Sequence, residues 1–187
     1  MARPLGEYFD RVWATDVCDY GFEGQAAVTD FLIDWAADAP DVDWVITNPP
    51  YRLADDFIRQ ALLYARVGVA VFVRVAFSEG EARYRDLFRD RPEAFDFPFV
   101  ERVALWRGVL LDPDVPVWRP EREKAEKPTS ATAYTWLVFL REGAGQTIKK
   151  RIAPCRKRLT RPGDYPPVPD HLRPPSEAPL LEIGAGN

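Results

Sequence analysis

Histidine and cysteine are nearly absent from this chain of 187 residues: His171 is the one histidine, and Cys18 and Cys155 are the two cysteines. Two cysteines do not make a disulfide framework, and a lone histidine gives no basis for a zinc cluster or a Ser-His-Asp triad. No metal site is therefore expected. Long apolar runs are missing too, since no segment approaches the roughly 20 apolar residues that cross a bilayer. The opening "MARPLGEYFDR" carries charges where a secretory signal needs an apolar centre. These absences predict a cytoplasmic protein with no membrane partner. No internal repeat is visible. The length suits one domain with a real core, too short for two, and six tryptophans accord with a globular chain.

The net charge of −4 argues against non-specific nucleic-acid binding by the whole molecule, but the charge is segregated. Acidic residues crowd the first 60 positions, among them Asp10, Asp16, Asp19, Asp30, Asp34, Asp38, Asp41, Asp43, Asp55 and Asp56. The stretch "KKRIAPCRKRLTRPGD" near the C-terminus is strongly basic. Such a run is either a solvated surface or a phosphate contact made by Lys149, Lys150, Arg151, Arg156, Lys157 and Arg158.

Along the chain, Leu5, Tyr8, Phe9 and Val12 predict an opening helix. "RVWATDV" predicts a short strand stopping at Asp16, and "AVTDFLIDWA" a short strand or turn at Thr29–Asp30 followed by a helical turn. "VDWVIT" is rich in β-formers without alternation, as expected of a parallel strand buried on both faces. "RLADDFIRQALLYARVG" is the clearest helix, with Leu53, Phe57, Ala61 and Tyr64 on one stripe and Gly68 where a cap belongs. "VAVFVRVAF" predicts a buried strand, "SEGEARYRDLFRDRP" a helix and "FVERVALWRGVLL" a strand. "DPDVPVWRPEREKAEKP" reads as a loop with two turns, and "SATAYTWLVFLRE" as the last strand of this part. Eight prolines from Pro154 onward make residues 150–178 an expected extended or mobile arm. This alternation is the rhythm of a doubly wound α/β sheet, in which ligands bind at the carboxyl ends of the strands. Asp16, Asp30 and Asn48-Pro49-Pro50-Tyr51 fall at such ends.

Two successive prolines after a strand pin the backbone in an extended turn, because neither carries an N–H and each restricts the residue before it. The bland reading is a Pro-Pro turn with Asn as a cap. For Asp16 and Asp30 taken alone it is a turn former or helix cap.

Together these residues carry a resemblance. "TNPPY" resembles the catalytic motif of class I S-adenosylmethionine-dependent methyltransferases that methylate amino groups in DNA, in particular the compact adenine methyltransferases of phages and prophages. "VWATDV" resembles the second cofactor motif, "VTDFL" the third, and the likeness covers roughly residues 1–165. It implies an α/β class I methyltransferase (Rossmann-like) fold, doubly wound and mostly parallel. The implied reaction is methyl transfer from S-adenosylmethionine to the exocyclic N6 of adenine in DNA. Asn48 and Pro49 would accept from the amine and Tyr51 would stack on a flipped base, with Pro50 completing the motif. Asp16 would accept from the cofactor ribose, Asp30 from its adenine amine, with Phe31 against the ring.

The family's glycine-rich first motif is not found ahead of Met1. The tail "LLEIGAGN" resembles it, offering Glu182, Gly184 and Gly186. The expected layout is a catalytic domain 1–149, a basic Pro-rich arm 150–178, and residues 179–187 completing the cofactor site. That sheet would be circularly permuted, or truncated at its first strand if the tail is coincidental. Two other functions stay open: methylation of a protein glutamine amide, and a non-catalytic remnant that binds nucleic acid.

Overall fold

The computed structural model describes residues 1–33, 40–106 and 108–175. Nine strands fall into three sheets among them. The short strands β1 (Ala14–Asp16) and β2 (Gln25–Val28) form a parallel pair by themselves. A five-stranded sheet has the order β3-β4-β8-β5-β9, with β3 spanning Val42–Thr47, β4 Ala65–Arg74, β5 Phe95–Pro98, β8 Tyr134–Leu140 and β9 Ile148–Lys149. The third sheet is the antiparallel hairpin of β6 (Val117–Arg119) and β7 (Lys124–Glu126), whose turn holds Glu123 in the left-handed region at φ 49°.

β3 runs parallel to β4, and β5 parallel to β9. β8 is reversed against both neighbours. Arg141 N donates to Val67 O at one end of β4 while Val75 N donates to Ala133 O at the other, and Ala94 N to Val138 O is matched by Phe99 N to Tyr134 O on β5. The sheet is therefore mixed.

The expected doubly wound, mostly parallel Rossmann-like fold is overturned. Continuous apolar runs signal burial on both faces, and an antiparallel strand in mid-sheet has that burial as well. β8 buries five of its seven residues while running against its neighbours. The strand ending at Asp16 and the strand ending at Thr47 lie in different sheets. Helices are also too few to cover two faces. Among the described residues α1 (Ala2–Leu5) has four residues, α2 (Ala54–Tyr64) has 11, and α3 (Glu81–Arg83) runs on into a π-helical turn (Tyr84–Phe88), the remaining helical segments being of three or four residues. The segment expected to complete the sheet, with Glu182, Gly184 and Gly186, lies outside the described residues.

The chain divides into two compact units, one of Met1–Val73, Phe77–Asp96 and Trp136–Lys149, the other of Arg74–Ala76, Phe97–Thr135 and Lys150–Asn187. The first has a core of Ala54, Ile58 and Ala61 on α2 against Val69, Val71 and Val73 of β4 and Leu137 and Phe139 of β8, closed by Phe77 and Leu87. The buried stripe of α2 thus runs through Ala54, Ile58 and Ala61, while Leu53, expected on it, is exposed. Asp55 and Asp56 in the first turn of α2 suit the positive end of the helix dipole.

Gly68 does not cap α2. It lies within β4, in register with Trp44, where an added Cβ would come within 2.6 Å of the Phe139 carbonyl oxygen and 2.8 Å of the Trp44 ring. The helix end is satisfied instead by Arg141, whose Nη1 donates to the carbonyls of Leu62, Leu63 and Ala65 at 3.3, 3.1 and 2.9 Å. Those are the orphan acceptors that a helix C-terminus leaves.

The second unit has a smaller core of Leu111, Val117 and Leu172, with Trp106, Val109 and Val168 packed on it. Leu172 belongs to the segment expected as a mobile arm, and α4 (Arg156–Leu159) lies in that segment too. The described residues of the segment 99–111, expected as a strand, form only isolated bridges, Phe99 with Ile152 and Trp106 with Val109. Arg119 stacks over Trp106 at 4.1 Å.

Candidate functional site

The turn after β3 follows from its prolines. Pro49 is buried while Asn48 and Pro50 are exposed, so the ring that anchors the turn points in and the amide beside it faces solvent. Leu53 N donates to Pro50 O at 2.8 Å, closing the turn, and Phe57 N to Leu53 O at 2.9 Å begins α2. Pro49 and Pro50 carry no N–H, so the turn next to Asn48 presents acceptors without backbone donors that would compete for them. Tyr51 is half-buried at the edge of this turn.

β1 and β2 end side by side. Asp16 is in register with Val28, and Thr29 N donates to Asp16 O at 2.9 Å, which brings Asp16 and Asp30 to the same end of the pair. Each aspartate organises its own loop: Asp16 Oδ1 accepts from Cys18 N at 3.0 Å and Asp30 Oδ1 from Leu32 N at 2.8 Å. Both therefore act as turn formers, and each keeps a second carboxylate oxygen beyond that bond. Phe31 stacks on Phe57 with centroids 5.1 Å apart and planes 24° apart. Because Phe57 stands in the first turns of α2, this stack ties the segment after β2 to the segment after the Asn48 turn. Asp16, Asp30, Phe31 and Asn48–Tyr51 thus belong to one compact unit.

The loop between β1 and β2 contains residues that sequence reasoning passed over. Gln25 Nε2 donates to Cys18 O at 2.8 Å and to Ala27 O at 3.4 Å, while its Oε1 accepts from Tyr20 N at 3.4 Å. Asp19 Oδ1 accepts from Gly21 N at 2.8 Å, with Gly21 at φ 62°. The Tyr20 ring is exposed, and the negative charge of Asp16 together with Cys18 holds its phenol above the usual tyrosine value. A polar Gln opening an otherwise apolar "AAV" strand was the available signal.

The six basic residues do not act alike. Lys149 Nζ donates to Asp96 Oδ2 at 2.6 Å. Arg156 is a structural hub of the second unit, with Glu101 at 3.4 Å, Asp112 at 3.8 Å and Asp114 at 2.9 Å, and its backbone N donates to Glu101 Oε2. The Asp114 carboxyl is held below the usual range by its hydrogen bond from Arg156. Lys150, Arg151, Lys157 and Arg158 are exposed. They are the members of the set whose charges face solvent, as a phosphate contact requires.

An open groove of about 570 Å³, lined by Asp90, Arg91, Pro92 and Arg141–Gly145, holds none of the residues singled out from the sequence. Among the described residues no helix is long and apolar enough to cross a membrane. No family model matches the chain, and no curated protein and no solved structure is significantly similar to it.

Proposed function

We propose that this chain is an S-adenosylmethionine-dependent methyltransferase acting inside the cell on the exocyclic N6 of adenine in DNA. The observation that carries the reading is the exposed Asn48 amide at the end of β3, followed by the buried Pro49 and the exposed Pro50, neither of which has an N–H. Adenine's amine is a poor nucleophile because its lone pair is delocalised into the ring. Asn48 Oδ1 and the Pro49 carbonyl, each accepting one of its protons, favour a pyramidal nitrogen with its lone pair free. Tyr51 offers a ring for the extruded base, and stacking offsets part of the few kcal/mol of unstacking. No side-chain base is needed, since the nitrogen's surplus proton becomes acidic on alkylation and passes to water.

The cofactor supplies an electrophilic methyl group when bound. The residues that would hold its adenosine half are Asp16, exposed at the end of β1, which would accept from the ribose hydroxyls, and half-buried Asp30, which would accept from the adenine amine beside Phe31. Lys150, Arg151, Lys157 and Arg158 are the proposed phosphate contacts, Lys149 and Arg156 being engaged with carboxylates.

A second reading, a nucleic-acid-binding remnant without methyl transfer, is favoured by one observation: the strands ending at Asp16 and Asn48 lie in separate sheets. One experiment separates the two. Purified, folded chain is incubated with radiolabelled S-adenosylmethionine and unmethylated DNA of broad sequence content. Label on N6 of adenine supports the enzyme, and DNA binding without label supports the remnant. Label on a glutamine amide of added protein, and none on DNA, would move the substrate to protein.

A further inference from the structure

We propose that Gln25 is a positioning residue for Asp16, acting through the backbone of Cys18, and that it is needed for cofactor affinity. The inference rests on the methyltransferase reading and adds to it a residue that the motifs do not contain.

The bonding is sequential. Asp16 Oδ1 is oriented by the Cys18 amide N–H at 3.0 Å, and the Cys18 carbonyl is in turn held by Gln25 Nε2 at 2.8 Å. The same side chain accepts from Tyr20 N at 3.4 Å, and its own backbone N donates to Phe22 O at 2.8 Å. One glutamine thus fixes both faces of the loop 17–24 with a donor and an acceptor, which no single-function side chain can do. Exposed loops of this length otherwise sample many conformations, and a carboxylate that recognises a diol must be held in place before binding to avoid an ordering cost. Asp16 itself is exposed, so packing does not hold it. What orients it is the Cys18 N–H, and what orients Cys18 is Gln25.

Tyr20 belongs to the same arrangement. Its backbone is held by Gln25 and its phenol lies within electrostatic reach of Asp16. Loss of the glutamine would release both groups together.

The test is calorimetric titration of S-adenosylmethionine into the full 187-residue chain and its Gln25→Ala, Gln25→Glu, Asp16→Asn and Gln25→Glu/Asp16→Asn variants. Glutamate keeps the shape of Gln25 but cannot donate to Cys18 O. Both Gln25 variants are expected to weaken binding about tenfold, and Gln25→Glu to cost nothing further once Asp16 is Asn. Circular dichroism spectra like those of the unaltered chain accompany that result. Wild-type affinity in Gln25→Glu overturns the proposal, as does an equal loss with and without the Asp16 carboxylate, which would mean a merely structural loop. A folded wild-type chain that binds no cofactor overturns the methyltransferase reading, and this proposal with it. Binding by wild type with unchanged variants overturns this proposal alone.

Discussion

The pair β3–β4 and the pair β1–β2 are both parallel, and each ends in residues that carry the proposed chemistry, but their surroundings differ. β4 buries Val69, Val71 and Val73 completely, in one core with Ala54, Ile58 and Ala61 of α2 and with Leu137 and Phe139 of the neighbouring strand β8. β1 and β2 have no fully buried residue, and Val28 of β2 is 57% exposed. The first pair stands in a five-stranded sheet, the second alone. Two-stranded sheets are marginal without a packed face. The difference teaches where rigidity comes from at each end: Asn48 is presented by a strand on a core and an anchoring proline, whereas Asp16 depends on the hydrogen bonds of its loop.

The largest effect should come from the rigid side. Asn48→Ala is expected to lower methyl transfer by at least about 100-fold, the scale seen when one positioned polar group is removed from a reacting centre. Its melting temperature should stay at the wild-type value, because the side chain is exposed. Label-transfer rates and a thermal melt check both halves. A large drop in stability would mean that Asn48 caps the turn, and the contrast drawn above would lose its chemical side.

Next in size is the scaffold itself. Gly68→Ala places a methyl against the Phe139 carbonyl and the Trp44 ring, in the middle of the β4 backbone. Overpacking of this kind costs about 1–3 kcal/mol. Urea denaturation should show a lower midpoint with an unchanged slope. An unchanged midpoint would mean that β3 yields without cost and is no firmer than β1.

What could be read from the sequence follows the same divide. β3, β4, β8 and the body of α2 announce themselves through local composition, and the Pro-Pro turn through its missing N–H groups. The end of α2 does not. Nothing near Tyr64 shows that Arg141, more than 70 residues on, supplies the cap, so Gly68 was the natural candidate. Strand direction was equally hidden, because "YTWLVFL" reports burial and not orientation. The hairpin β6–β7 looks like loop in the sequence because Pro116 and Pro120 flank a three-residue strand too short to show alternation. In the site, Asp16 and Asn48 stood out at strand ends. Gln25 did not, since its role arises from a loop conformation that brings Cys18 and Tyr20 back to it.

The link between the two pairs is expected to be smaller again. Phe31 and Phe57 stack at 5.1 Å, and a double-mutant cycle of Phe31→Ala with Phe57→Ala should return a coupling of about 0.5–1.5 kcal/mol. Zero coupling would separate the Asp30 turn from α2.

The smallest effect sharpens the comparison most. Val28→Thr keeps a β-branched side chain on the exposed face of β2 and should change stability by less than about 0.5 kcal/mol. The same exchange at Val69 puts a hydroxyl into a site with no exposure and should cost about 1–3 kcal/mol. The two substitutions are chemically identical, so any difference between them measures the surroundings of the two pairs. If Val28→Thr proves as costly as Val69→Thr, the face of β1–β2 is covered in the folded chain. Asp16 would then be held by packing as well as by its loop, and the dependence of cofactor affinity on Gln25 should shrink in step.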